Sequence, residues 1–169
     1  DFGHKLALMH QNSSALGHGL GYTNYLGAAE QKNDWNLNGV NFFIENRLKN
    51  QIEIAVYNRK IDLEMENKFN QLFEKLPDLI PNEPSSLMHG DLWSGNVMVN
   101  TLGQVVLVDP SCYYGLREAE LAFTTMFGGF DKTFYEAYHE AHPIEKGFHE
   151  RIPLYNLYPL MVHVNLFGE

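Results

Sequence analysis

The feature that most constrains this chain is Leu87-Met88-His89-Gly90-Asp91-Leu92-Trp93-Ser94-Gly95-Asn96-Val97-Met98-Val99, followed closely by Val105-Val106-Leu107-Val108-Asp109-Pro110. Together they read as a loop, a short strand, a turn, a second strand and an acid. Asn100-Thr101-Leu102-Gly103 supplies the turn, so strands 97–99 and 105–108 form a hairpin. Both strands are rich in Val and alternate little, which predicts burial on both faces. Gly90 and Gly95 allow sharp turns where a Cβ would be in the way. A lone Asp-x4-Asn would be an ordinary polar turn. Here His-Gly precedes the acid, an apolar strand follows the Asn, and a second strand ends in another acid.

Asp91 and Asn96 are five residues apart. At that spacing a phosphoryl-transfer loop sets an acid against the substrate hydroxyl and an amide against Mg²⁺. Asp109, at the end of the second strand, stands where a second Mg²⁺ ligand belongs. The residue types suit the chemistry. Phosphoryl transfer asks for positioning and charge neutralisation, which an acid facing a hydroxyl and hard oxygen donors to a cation supply.

The chain has 169 residues, the size of one domain, and 44% of them are hydrophobic, enough for a sizeable core. Its net charge of −9 argues against nucleic-acid binding, which draws on Lys and Arg. Cys112 is the single cysteine, so no internal disulfide can form, and a reducing, cytoplasmic setting is expected. No apolar run reaches the ~20 residues of a membrane span, and no signal-peptide pattern opens the sequence. The chain enters a helical pattern almost at once and ends without a stop signal, so a piece of a longer architecture is expected.

Residues 2 to about 12 carry Phe2, Leu6, Met9 and His10 at helical spacing. Asp1-Phe2-Gly3 matches the Mg²⁺ triplet of kinases but precedes the catalytic loop, which that triplet must follow; it is a chance match. Residues 11–38 are polar and Gly-rich. Gly17-His18-Gly19-Leu20-Gly21 does not complete a phosphate loop and has no leading strand. A flexible surface loop is expected there. The alternative is a substrate-side loop using Tyr22, Asn24 and Tyr25.

A long helix is predicted from about 38 to 57, capped by Asn38, with Arg47 a solvated charge. A second runs over 62–76, capped by Asp62 and stopped by Pro77. Residues 111–118 read as a loop holding Cys112 as a structural thiol. A helix follows over 118–127, with Glu120 placed to brace the catalytic loop. Gly128-Gly129 breaks it, and Asp131 caps the next. His139 and His142 lack the neighbours of a metal site and read as surface residues. The last helix, about 150–167, is apolar nearly all round, expects cover on several sides, and contains Pro159.

These residues resemble the fructosamine kinase (ketosamine kinase) family, related to the aminoglycoside and choline phosphotransferases. The resemblance rests on His89-Gly90-Asp91-Leu92-Trp93-Ser94-Gly95-Asn96, Asp109-Pro110-Ser111 with Tyr114-Gly115, Glu120-Leu121-Ala122, and Met126-Phe127-Gly128-Gly129-Phe130 with Phe134-Tyr135 and Tyr138-His139. Gly27, Gln31, Asn33 and Trp35 extend it upstream. It implies ATP-dependent phosphorylation of a sugar hydroxyl on a ketosamine, free or protein-bound, as in protein deglycation. It also implies Asp91 as catalytic base, Asn96 and Asp109 as Mg²⁺ ligands, and Trp93 as a platform for the sugar. The implied fold is mainly α with a small β-hairpin. Residues 1–169 would be the helical C-terminal lobe of a kinase-like fold, because no nucleotide loop or strand-borne Lys is found. Such a lobe, alone, would be a poor binder of Mg-ATP, with self-association through its exposed lobe face. A small-molecule kinase with another substrate and an inactive binding remnant are the alternative readings.

Overall fold

Among the described residues the apolar periodicities become seven α-helices around one main core, with the two-stranded sheets arranged beside it. The computed structural model describes residues 2–168. Helix α1 spans Phe2–Asn12, and the hairpin β1 (Asn24–Leu26) and β2 (Ala29–Gln31) follows. A continuous helical run comprises α2 (Gly39–Phe42), a π-helical segment (Phe43–Lys49) and α3 (Asn50–Tyr57). Then come α4 (Leu63–Leu79), β3 (Ser86–Met88), a 3₁₀ turn (Ser94–Asn96), β4 (Val97–Val99), β5 (Val105–Leu107) and β6 (Tyr113–Gly115). Helices α5 (Arg117–Thr124), α6 (Lys132–Ala141) and α7 (Phe148–Phe167) complete the chain. The strands form three two-stranded antiparallel sheets, β1–β2, β3–β6 and β4–β5.

Helix α7 packs on α5 and α3, while α1 packs on α6 and β3. Leu6, Leu48, Leu76, Leu92, Leu121 and Tyr155 sit at the centre of the core. The α1–α6 approach is close: a Cβ on Gly3 would lie 2.1 Å from the Phe134 carbonyl oxygen. Phe2 and Gly3 thus serve helix packing; Asp1 of the rejected triplet lies outside the described residues. The predicted caps form. Asn38 accepts from the Asn41 N–H, Asp62 from that of Met65, and Asp131 from that of Thr133. Helix α7 is buried on several sides, as its composition requires, and runs through Pro153 and Pro159. No described helix is long and apolar enough to cross a membrane.

Five expectations need correction. Residues 11–38 are not a flexible loop. His18 and Asn36 exchange backbone hydrogen bonds of 2.8 and 2.9 Å, and Gly19 does the same with Tyr114. The glycines signal close backbone approach, since a Cβ on Gly19 would meet the Asn33 oxygen at 2.7 Å. Arg47 is fully buried, at 0% exposure. The helical run widens to π geometry around it, so a 3.6-residue period misplaces its face. Helix α4 continues past Pro77 to Leu79, because a proline this near the end costs little more than one bond. Part of the predicted 111–118 loop is a strand, β6, held by β3. Finally, the β4–β5 ribbon is not buried on both faces. Met98, Val99, Leu102 and Val106 are exposed, because no described element covers a ribbon that pairs only with itself.

Candidate active site

Strand β3 delivers His89, Gly90 and Asp91, and its partner β6 follows directly on Asp109-Pro110-Ser111-Cys112. Pairing of these two strands therefore brings the two acidic motifs together. Gly90 has φ +82°, and a Cβ there would strike the Ser111 oxygen at 2.1 Å, so both conformation and space demand glycine. Gly95 is required for a different reason from the predicted turn: a Cβ would lie 2.3 Å from the Trp93 indole.

His89 joins the two motifs. Its buried ring places Nε2 2.9 Å from the Val108 carbonyl, which it donates to, and Nδ1 3.3 Å from the Asp91 N–H, which it accepts. Asn96 is buried and its Nδ2 donates twice to Asp91, to the carbonyl at 2.8 Å and to Oδ2 at 2.9 Å. Asp91 is half-buried. Burial pushes its carboxyl above the ordinary range; the Asn96 bond and the nearby His89 oppose this, and Asp109 adds to it. Asp109 is exposed and has φ +50°, left-handed backbone that a non-glycine residue rarely adopts. Among the described residues no hydrogen bond reaches the carboxylate of Asp109 or Oδ1 of Asn96.

Glu120 braces this loop from α5. Its Oε1 accepts from the Gly90 N–H at 2.7 Å, and its Oε2 lies 2.9 Å from His10 Nε2 in a fully buried pair. His10 Nδ1 reaches the Tyr138 hydroxyl at 2.8 Å. Cys112 is a free, half-buried thiol, and burial pushes its pKa up, with Glu120 adding to the shift.

A cavity of about 380 Å³ opens beside Asp91, lined by Leu26, Gly27, Trp93, Phe127 and His163 among others. The Trp93 and Phe127 rings are 5.4 Å apart. A roomier cavity of about 510 Å³ between α6 and α7 is lined by Gly128, Gly129, Phe130, Tyr135 and His139 of the later motifs but by none of Asp91, Trp93, Asn96 and Asp109, so chemistry rather than size selects the first. Sequence reasoning brought Asp91, Trp93, Asn96 and Asp109 to one place but assigned no site role to Phe127, Leu26 or His163. Phe127 lay within the Met126–Phe130 run already singled out, and Leu26 lies between Tyr25, offered as a substrate-side contact, and Gly27 of the upstream resemblance; His163 carries no local signal. Tyr22 and Tyr25 are exposed, and Asn24 donates to the Cys112 carbonyl at 2.8 Å. His139 is exposed and accepts from the Ile144 N–H, whereas His142 is half-buried.

The comparisons agree with one another. The family described as fructosamine kinase matches residues 1–169. A protein of Enterococcus faecium named "Probable ketoamine kinase" is 39% identical over all of this chain and 61% of its own length. The chloroplastic protein-ribulosamine 3-kinase of Oryza sativa subsp. japonica is 39% identical over 99% of this chain and 49% of its own length. A crystal structure from Thermobifida fusca, described as a fructosamine-3-kinase, superposes with a TM-score of 0.92 at 34% identity, covering 99% of this chain and 58% of that one. The chain thus spans about half to three-fifths of the length of these relatives. With the full-length family match, the chain belongs to the fructosamine kinase family.

Proposed function

We propose that this chain carries the catalytic base and the metal-binding side chains of an ATP-dependent kinase that phosphorylates a sugar hydroxyl of ketosamines. The observation that carries the reading is the setting of Asp91. It is half-buried, tied to Asn96, held beneath by Glu120, and set in the wall of a cavity that Trp93 also lines. The names of the relatives, ketoamine kinase and protein-ribulosamine 3-kinase, support a ketosamine substrate, free or protein-bound.

The residues fit Mg²⁺. Asn96 spends its Nδ2 on Asp91, which leaves Oδ1, and the Asp109 carboxylate accepts no hydrogen bond among the described residues. These are hard oxygen donors next to a second carboxylate, the type of set Mg²⁺ takes. When bound, the ion supplies charge neutralisation for the phosphates. The remaining work is the chain's own. Asp91 accepts the hydroxyl proton as the sugar oxygen bonds to the γ-phosphorus of ATP and the bond to the ADP oxygen breaks. Trp93 serves as the platform for the sugar in the cavity that Leu26 and Phe127 also line.

We read residues 1–169 as the helical C-terminal lobe of a kinase-like protein, with the nucleotide-covering lobe contributed by other residues of the full protein. Supporting this, the β4–β5 ribbon exposes the cross-strand pair Met98 and Val106 on one face, Val99 on the other and Leu102 in its turn, apolar surface suited to meeting a second lobe. In the isolated lobe that surface favours self-association, seen as a concentration-dependent mass in ultracentrifugation. We place the protein in the cytoplasm, where a lone free cysteine stays reduced.

The test is Asp91→Asn in the full-length protein, assayed with ATP and a fructosamine. A folded variant is expected to lose at least about a hundredfold in kcat, the usual share of a positioned general base. Unchanged turnover overturns the assignment, and preferred turnover of an aminoglycoside or an amino alcohol overturns the substrate class.

A further inference from the structure

Gln31 has no part in the chemistry above, yet it is 1% exposed and its amide makes three hydrogen bonds. Oε1 accepts from the Tyr158 hydroxyl at 2.9 Å; Nε2 donates to Asn24 Oδ1 at 2.9 Å and to the Ser111 carbonyl at 3.1 Å. The orientation of this amide follows from a neighbour that can only donate. Arg47 Nη2 donates to Asn33 Oδ1 at 2.7 Å, so Asn33 turns its Nδ2 to Asn24 Oδ1 at 2.8 Å. Asn24 then offers an acceptor to Gln31, which leaves Gln31 Nε2 facing Ser111.

Ser111 is the joint between the two acidic motifs. It follows Asp109 by two residues, and its N–H donates to the carbonyl of His89, two residues before Asp91, at 2.8 Å. Its own carbonyl packs on Gly90, and its hydroxyl donates to the Tyr25 carbonyl at 2.7 Å. The β1–β2 hairpin therefore grips Ser111 through two groups, the Gln31 amide and the Tyr25 carbonyl. The same hairpin contributes Leu26 and Gly27 to the cavity beside Asp91.

We propose that Gln31 is a positioning residue that, through Ser111, sets the placement of Asp109 relative to Asp91 and so the geometry of the cation-binding oxygens. This rests on the metal reading given above. An amide is required at residue 31. A carboxylate would retain the acceptor for Tyr158 but set an oxygen against the acceptors of both Ser111 and Asn24.

The test uses full-length protein with ATP, and reads protein-bound Mn²⁺ by water-proton relaxation beside steady-state kinetics. Gln31→Glu is expected to weaken Mn²⁺ binding about tenfold, as loss of an outer-shell partner does. The ketosamine KM is expected to stay within about twofold, and raising Mg²⁺ to restore part of kcat. Tyr158→Phe, which removes one bond and keeps the ring, is expected to shift Mn²⁺ binding the same way by less. Folded Gln31→Glu that binds Mn²⁺ like the wild type overturns the proposal. If Gln31→Glu does not fold, wild-type Mn²⁺ binding by Tyr158→Phe overturns it. Wild-type protein that binds no Mn²⁺ beyond the ATP in solution overturns the metal reading itself, and this inference with it.

Discussion

Glu120→Gln isolates the charge that braces the catalytic loop. The wild-type carboxylate is fully buried and makes two bonds, 2.7 Å to the Gly90 N–H and 2.9 Å to His10 Nε2. Glutamine keeps an acceptor for Gly90 and loses the charge. Hydrogen bonds to charged groups contribute about 1.5–3 kcal/mol and neutral ones about 0.5–1.5. Downgrading both bonds therefore costs about 2 kcal/mol. For a domain of this size that lowers Tm by roughly 4–8 °C. Glu120→Ala leaves His10 Nε2 and the Gly90 N–H unpartnered and costs about 3–5 kcal/mol, as for a buried pair broken on one side. The pH dependence carries a sign. Burial by itself raises the Glu120 pKa, but the His10 bond and charge and the Gly90 and His89 N–H groups outweigh it and hold the carboxyl below its ordinary 4.5. A folded-state pKa below the unfolded one gives stability that is complete above the unfolded value and is lost as pH falls through the folded value. The Tm gap between wild type and Glu120→Gln is thus expected to be constant down to about pH 5 and to close in more acid buffer. A Tm change below about 1 °C, or a gap that persists unchanged to pH 3, refutes this reasoning.

Other expectations follow from the same contacts. Arg47→Met leaves the Lys32 carbonyl and Asn33 Oδ1 without their donor, and is expected to destabilise by about 1–3 kcal/mol per orphaned acceptor in urea unfolding. Arg47→Lys does not restore this, because the planar guanidinium over the Tyr113 ring, 3.9 Å from its centroid, is what fills the site. Gly90→Ala forces a Cβ onto left-handed backbone and against Ser111; about 1–3 kcal/mol of backbone strain is expected, with turnover falling along with Tm. Trp93→Ala in the full-length protein is expected to raise the ketosamine KM roughly tenfold, and an unchanged KM removes Trp93 from the substrate face.

The helices and their caps were legible because their signals are local. Asn38, Asp62 and Asp131 cap the helices they precede in the sequence, the stripe of α4 follows from short-range periodicity, and α7 is marked by being apolar nearly all round. Likewise, the constellation of Asp91, Asn96 and Asp109 could be read from spacing, since one loop and one hairpin carry all three. Glu120 as a brace was also legible through the motif around it, although its partner His10, 110 residues away, was not. Arg47 was misread because a π-helical segment breaks the period on which its exposure was judged. The exposed β4–β5 ribbon was misread because two Val-rich strands look alike whether or not another element covers them.

What the sequence by itself determined is the chemistry on offer: an acid, an amide and a second acid at fixed spacing, with glycines where no side chain can stand. Only the tertiary structure decided how that chemistry is held. The joint at Ser111, the grip of Gln31 and Tyr25 upon it, and the donor-only Arg47 that orients the amides all join residues far apart in the chain. Local pattern records which groups a residue can offer, whereas hydrogen-bond partners across the fold depend on which backbones pack together, and that is settled by burial of the whole core.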